Sequence, residues 1–575
     1  MLRITCISLV LLFTLFSCGV PKTAQTPAPP APLQTPAAGD DGKIEVVFLH
    51  INDVYEIGPL EGGKTGGMAR VAAYYKQLKS KNPHTFFVHG GDFLSPSLMG
   101  TLKWNDERIR GRQMVEVMNA SGVQLVTFGN HEFDVKEEEL QARLNESAFY
   151  WLGTTVRRNA GGQLPPFFKM VNGEKKDCPD SFIWRVTDSD GTEARIGVFG
   201  LTLGSNPQDW VSYLPIFKTA TEVANNLKDQ TDVVIGLTHQ ERIDDLKLAG
   251  MLPYVPLIMG GHDHDHSIDT VGQTIIAKAD ANVKTVYVHR MLIDKTKKSA
   301  TIRSELVPIT DAMPSDPAVE ALVNKWIAIQ DENLRQVVDE PYEVVYNAKT
   351  PLDGLEKSVR NKQTNLGQLI ASAMWKSSSR PIDAAFFNGG SIRIDDQLAG
   401  EILAIDIFRA MPFGGAVCEV EMKGGLLVKM LDTGLQNKGT GGYLQWANLS
   451  RNNTDTHWLL GGQTIDPAKI YRIATNDFLL TGKETRMDFF TPEHPDIKSV
   501  TRPKDNTELG SDIRKAVIAY MKGFNEKDLR ENCIFFKKEN SHKRLGVFWT
   551  PVETGLRQPV WFSNPLVPEG NLRRG

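Results

Sequence analysis

Cysteine is scarce in this chain, with five in 575 residues. Cys6 and Cys18 sit near the amino terminus; Cys178, Cys418 and Cys533 are odd in number and widely spaced. That pattern implies neither a disulfide framework nor a zinc knuckle. Charge of one sign is lacking too. A net charge of −4 gives no field suited to gripping a nucleic acid polymer or an anionic membrane surface. An anionic substrate therefore has to be held by local groups, such as metals or single arginines. Past the leader, no stretch is long and apolar enough to cross a bilayer. With 41% hydrophobic and 23% charged residues, the composition is that of an ordinary globular protein. At 575 residues the chain is too long for one core, so two or three domains are expected.

What the first half has instead is a series of apolar runs. Six of them end, in order, at Asp53, Asp92, Asn130-His131, Thr202, His239 and His262-Asp263-His264. Five supply a carboxylate, amide or imidazole; only the Thr202 run does not. Short apolar runs before Gly-rich polar turns predict buried strands, and α/β sheets gather functional groups at the carboxyl ends of such strands. Convergent loops bearing Asp, Asn and His predict a two-metal site. This mixture of ligands suits Zn, Mn, Fe or Co rather than soft copper or a calcium cage.

Helical patterns lie between the runs. Met68, Val71, Ala72, Tyr75 and Leu78 share a face before Asn82-Pro83, and Met114, Val115, Val117 and Met118 do so before Gly122. The alternation from about residue 44 to 260 predicts β-α-β units and parallel strands. Residues 285–307 predict a hairpin about the Asp294–Lys298 turn. Val319, Leu322, Trp326 and Ile329 predict a helix that joins two domains, and a second αβ region follows. His50, His84, His89 and His289 read as structural, His266 as a spare surface histidine, and Glu137–Glu139 as the solvated first turn of a helix.

The amino terminus is a targeting segment. Arg3 precedes the apolar stretch Ile7–Phe16, and Ser17-Cys18 follow. This resembles a bacterial lipoprotein signal, which implies cleavage before Cys18 and lipid on its sulfur; a plain signal peptide or an uncleaved anchor is the alternative. The expected division is a signal over 1–17, a Pro/Ala-rich tether over 18–43, a first αβ domain over 44–313 and a linker helix over 314–344. A second αβ domain over 345–530 and an extension of unassigned role over 531–575 complete it. The implied location is the bacterial cell envelope, facing the periplasm or the exterior. The membrane is met through the lipid anchor only, and protein partners are unassigned.

Eight strings in order carry a wider resemblance: Asn52-Asp53, Gly91-Asp92, Gly129-Asn130-His131-Glu132-Phe133-Asp134, Thr238-His239, Gly260-Gly261-His262-x-His264, Asn365-Leu366-Gly367, Asn388-Gly389-Gly390-Ser391-Ile392-Arg393 and Pro412-Phe413-Gly414-Gly415. The chain resembles the bacterial periplasmic and animal ecto-5′-nucleotidase family over residues 44–530. The fold that the resemblance implies is α/β, with a four-layer α/β/β/α calcineurin-like metallophosphatase domain joined by a helix to an α/β substrate-binding domain. It implies two divalent metal ions: Asp92 bridging, Asn130, His239 and His262 completing one, and Asp53 and His264 binding the other. Metal-bound hydroxide then attacks the phosphate of a nucleoside 5′-phosphate. His131, oriented by Asp134, is implied to stabilise the developing charge or aid the leaving oxygen. Phe413 and Phe478 stand where the family sandwiches the base, and Arg360, Asn388 and Arg393 where it holds phosphate and sugar.

Two positions depart from the family. Relatives carry Asp-x-His where this chain has Asp53-Val54-Tyr55, so either Asp53, Asp92, His264 and solvent serve the metal while Tyr55 hydrogen-bonds the site, or Tyr55 binds as phenolate, or that metal is weak or absent. Where relatives have a ribose-gripping Gly-Gly-Asp-Gly loop, this chain reads Gly482-Lys483-Glu484-Thr485, and Glu484 replaces the Asp only if the loop adjusts. The expected activity is phosphate release from nucleoside 5′-phosphates. The alternatives are another phosphoester or pyrophosphate (nucleotide sugar, dinucleotide or cyclic nucleotide) or a catalytically silent nucleotide-binding surface lipoprotein.

Overall fold

A computed structural model describes residues 41–523 except 206, 207, 379 and 453. The leader with Cys18, nearly all of the tether and the extension over 531–575 lie outside the described residues. The chain forms two compact units, Met1–Gln336 and Val337–Gly575. Among the described residues no helix is long and apolar enough to cross a membrane.

The first unit begins with β1 (Lys43–Ile51), α1 (Met68–Lys81), β2 (Thr85–His89), α2 (Arg112–Ser121), β3 (Leu125–Thr127), α3 (Glu137–Glu146) and β4 (Tyr150–Leu152). A second set follows: β5 (Ser181–Thr187), β6 (Glu193–Thr202), α4 (Ile216–Lys228), β7 (Val233–His239), α5 (Arg242–Met251), β8 (Leu257–Gly261), β9 (Ser267–Val271) and β10 (Thr274–Lys278). The hairpin β11 (Thr285–Asp294) and β12 (Ser299–Pro308) then leads to helix α6 (Pro317–Leu334). Two six-stranded sheets result, ordered β12-β11-β1-β2-β3-β4 and β5-β6-β7-β8-β10-β9. Strands β1 to β4 run parallel, as do β6, β7, β8 and β10; the β11–β12 hairpin beside β1 and the strands β5 and β9 pair antiparallel. The strands that end in candidate ligands are thus divided between two sheets, three in the first and two in the second.

Alternation within β1 explains the layers. Val46 and Phe48 meet Ile196, Val198 and Ile235 between the sheets, whereas Val47, Leu49 and Ile51 face the helical side with Val71 and Met114. The other face of the second sheet packs Phe199, Val234 and Ile258 on Ala220, Leu227 and Leu248 of α4 and α5. Strands buried on both faces read as nearly unbroken apolar runs. Each such fully buried side chain contributes about 1.5–3 kcal/mol. Four layers, α/β/β/α, follow.

The helix ends have local causes. Asn82 leaves α1 in extended backbone, the conformation favoured before Pro83. Gly122 ends α2 at φ 87°, a left-handed position that costs glycine little. The acidic start of α3 is more engaged than a solvated turn. Glu139 accepts the Lys136 N–H at 2.8 Å and pairs with Arg110, and Glu137 pairs with Arg158. Helix α6 packs on α1 and α2 through buried Val319, Val323 and Trp326, and so belongs to the first unit.

In the second unit, β13 (Val344–Asp353) pairs with β15 (Gln397–Leu403), and between them in the chain lie α7 (Asn365–Lys376) and β14 (Ala384–Asn388). Further on come β16 (Val417–Lys423), α8 (Gly424–Gln436), β17 (Leu444–Ala447), β18 (Ile470–Asn476), β19 (Ile497–Thr501) and α9 (Ile513–Lys522). The main sheet is β17-β14-β18-β16-β19, over a core that includes Phe386, Val420, Leu427, Met430 and Ile473. Thr364 caps α7 by accepting the Gly367 N–H at 3.0 Å.

Candidate active site

Parallel strands share the edge at which they end, so both sheets of the first unit deliver their polar turns to one place. Asp53 follows β1, Asp92 follows β2, Asn130 and His131 follow β3, His239 ends β7, and His262 and His264 follow β8. Cross-sheet bonds fasten this edge. The Asp53 Oδ2 atom accepts the His262 N–H at 2.9 Å, and His50 Nε2 bonds the Gly260 carbonyl at 3.1 Å. Thr202, the one run end without a ligand, donates its hydroxyl to the Phe128 carbonyl at 2.6 Å and ties β6 to the chain leaving β3.

The ligand atoms meet closely. His239 Nε2 lies 3.1 Å from both Asn130 Oδ1 and Asp92 Oδ2. Asp92, His239 and His262 present ligand atoms all within 4.8 Å of one another. His264 Nε2 is 3.6 Å from Asp53 Oδ1, forming a neighbouring group. Three of these residues are held in left-handed backbone rare for side-chain-bearing residues: Asp53 at φ 52°, Asp92 at 62° and His262 at 80°. Gly129 allows the crowding, because a Cβ there would lie 2.0 Å from Asp92 Oδ1.

The electrostatics suit a cation. Burial opposes charge on His239, but Asp92 and Asp53 outweigh it and push its pKa up to about 9. Burial likewise opposes ionisation of Asp92, yet His239 and His131 hold its carboxyl well below the usual range. The cluster thus favours positive charge among Asp92, Asn130 and His239. The His239 Nδ1–Gly90 carbonyl bond, 2.8 Å, orients Nε2 toward the other donors, as in histidines that bind metal. The residues fit a divalent cation.

Beside them His131 and Asp134 share one turn of 3₁₀ helix, whose period places i and i+3 together, with Nδ1 and Oδ2 2.6 Å apart. The His131 backbone N–H donates to Asp92 Oδ1 at 2.8 Å, so the pair is tied to the ligand cluster.

The second unit gathers the other predicted residues. Val417 pairs with Asn476 across β16 and β18, and β14 runs parallel to β18, so Phe413, Phe478 and Asn388 lie at one end of the sheet. Both rings are large apolar groups left open to solvent, Phe413 at 52% and Phe478 at 42% exposure. The Arg393 guanidinium stands over the Phe413 ring, 5.5 Å from its centre. Asn388 donates to Glu484 at 2.9 Å and accepts from Ser391 at 2.7 Å and Asn476 at 2.9 Å. The longer Glu484 side chain is thus turned onto the Asn388 amide. Arg360 pairs with Glu356 at 2.8 Å, and Arg393 reaches the same carboxylate at 4.0 Å.

Residues 46–266 match the calcineurin-like phosphoesterase family, and residues 344–491 match the 5′-nucleotidase C-terminal domain. The chain thus carries a calcineurin-like phosphoesterase domain followed by a 5′-nucleotidase C-terminal domain. It is similar to the trifunctional nucleotide phosphoesterase YfkN of Bacillus subtilis, with 26% identity over 510 residues, 79% of this chain and 33% of that protein. The chain therefore spans about a third of that relative. It is also 26% identical to the human 5′-nucleotidase over 459 residues, 71% of this chain and 75% of that one. The 5′-nucleotidase precursor of Thermus thermophilus shares the fold, with a TM-score of 0.60 at 21% identity, covering 83% of this chain and 96% of that one. Such a chain is a metal-dependent phosphoesterase.

Tyr55 lies beside these candidate ligands. Its hydroxyl is 3.2 Å from Asp92 Oδ2, 3.2 Å from His264 Nε2 and 3.5 Å from Asp53 Oδ1, so it stands among the donor atoms. Glu132 is a site residue whose role sequence reasoning missed. Fully buried, its carboxylate accepts the N–H groups of Gly129, Asp92, Phe93 and Leu94 at 2.6, 2.9, 2.7 and 3.1 Å. It fixes the turn that presents Asp92. The signal lay in the sequence: a carboxylate between His131 and Phe133, in a segment destined for burial, must have partners. Glu356, the common partner of both arginines, carried no such signal. His50, His89 and His289 are buried, as structural residues are, and His84 is half-buried in a turn. His266 is more than a spare histidine, for it bonds Asp280 at 2.9 Å.

Proposed function

We propose that this chain hydrolyses nucleoside 5′-phosphates to nucleoside and inorganic phosphate. The observation that carries this reading is the convergence of Asp53, Asp92, Asn130, His239, His262 and His264 beside the His131–Asp134 pair. Asp92, Asn130, His239 and His262 would hold one cation, and Asp53, His264 and Asp92 would hold the other. When bound, the two cations supply Lewis-acid charge on the phosphate oxygens and a water acidic enough to act as nucleophile. Asp134 keeps the His131 imidazole oriented and favours its protonated form, which stabilises charge on the phosphoryl group or the departing oxygen.

Phe413 and Phe478 stack on the base, and stacking tolerates purine and pyrimidine alike. Arg360 and Arg393, gathered on Glu356, and Asn388 bind phosphate and sugar. Glu484 meets the ribose from its place on Asn388. The activities for which the relatives are named support this substrate class. The leader supports lipid attachment at Cys18, with the chain held in a bacterial cell envelope and facing the periplasm or exterior. The deciding experiment is phosphate release from a panel of nucleoside mono-, di- and cyclic phosphates, nucleotide sugars and dinucleotides. It is run on the purified chain with Mn²⁺, Zn²⁺, Co²⁺ or Mg²⁺. Release from none of them with any ion would leave a silent nucleotide-binding protein.

A further inference from the structure

Lys278 ends β10 and is among the largest fully buried side chains of the described residues. An ammonium without water needs partners, and this one has four. It donates to the carbonyls of Gln240 at 2.5 Å and Gly261 at 2.9 Å, and it pairs with Asp263 at 2.6 Å and Asp245 at 3.1 Å. Burial opposes its charge, but Asp245 and Asp263 outweigh burial and hold the amine protonated.

These partners are the points at which the histidine ligands join the fold. Gln240 follows His239, Gly261 precedes His262, and Asp263 lies between His262 and His264. Register supplies the reach, since Lys278 pairs with Gly260 across parallel strands β10 and β8. Gly260 has to be bare for the lysine to pass, because a Cβ there would lie 2.8 Å from Lys278 Cε and 3.0 Å from Asp245 Oδ2.

We infer that Lys278 is a positioning residue that clamps the turns bearing His239, His262 and His264, preorganising both halves of the metal centre from behind. The inference rests on the metal reading above. Lys278 touches neither substrate nor reacting atoms and acts through the histidines. Groups that orient metal ligands typically account for about 10–100-fold in metal affinity or activity.

The test is metal titration of the metal-free full-length chain by calorimetry, with Mn²⁺ and Zn²⁺ as probes, on wild type, Lys278→Gln, Asp263→Asn and a His239→Ala control. Lys278→Gln should weaken metal binding about 10–100-fold, with kcat largely restored at saturating metal. Asp263 is partly exposed, so Asp263→Asn folds whether or not Lys278→Gln does, and should weaken binding several-fold. Wild-type affinity in a folded Lys278→Gln chain, or in Asp263→Asn if Lys278→Gln does not fold, overturns the clamp. So does a loss confined to the melting temperature of the metal-free chain. A wild-type chain that binds neither ion, like His239→Ala, overturns the metal reading itself.

Discussion

The two units hold their functional groups in opposite ways. In the first, Asp53, Asp92, Asn130 and His239 are buried, three site residues sit in left-handed backbone, and Glu132 is locked by four backbone N–H groups. In the second, Phe413 and Phe478 stand open to solvent and Arg360 and Arg393 rest on Glu356. Binding two cations beside a phosphate demands donor atoms fixed in advance, and burial with strain fixes them. Binding a base demands only an accessible flat apolar face. Chemistry is therefore expected to fail sharply on small changes in the first unit, and affinity to fall by degrees on changes in the second.

The largest effect should come from the first unit. His131→Ala is expected to lower kcat by about 10²–10⁴-fold while metal content stays at wild-type level, read by elemental analysis. A near-normal kcat would remove the role given to this imidazole. Next, Phe413→Ala or Phe478→Ala should raise KM for nucleotides by roughly one to two orders of magnitude, from about 1–3 kcal/mol of stacking. KM for a small aryl phosphate should stay nearly constant; equal losses on both substrates would make these rings packing groups and erase the contrast between the units.

Glu132→Gln puts an amide where four donors point at a carboxylate. It should cost about 1–3 kcal/mol of stability, measurable by denaturant unfolding, because buried N–H groups lose their acceptor. Unchanged stability would mean that the Asp92 turn holds itself. The smallest effect is expected at Tyr55. One hydrogen bond to Asp92 is worth about 0.5–1.5 kcal/mol, so Tyr55→Phe should change metal affinity by no more than about tenfold. A large activity gain in Tyr55→His with no loss in Tyr55→Phe would instead reveal a defective metal site. An intense visible absorption abolished in Tyr55→Phe would reveal tyrosinate bound to iron.

Much of the first unit was legible in the chain because its signals are local. The period of Met68, Val71, Ala72, Tyr75 and Leu78 matches the buried face of α1, and the Asp294–Lys298 turn joins the predicted hairpin. Apolar runs ending in Asp, Asn and His marked the strands whose polar ends meet, since a strand buried on both faces shows its polarity only where it ends. The use of Thr202, a hydroxyl tying β6 to the Phe128 carbonyl, depends on a partner distant in sequence.

What the tertiary structure alone decided is where charge becomes buried and what meets it there. Sequence spacing does not bring Lys278 to the turns of His239, His262 and His264; the parallel register of β10 on β8 does. Nor does it place Tyr55 among Asp53, Asp92 and His264, or join Arg360 and Arg393 through Glu356. Residue type and period specify which groups a strand or helix presents and to which face. Which groups then share a low-dielectric space is fixed only when elements far apart in the chain pack together, and that sharing sets the charges and hydrogen bonds of the site.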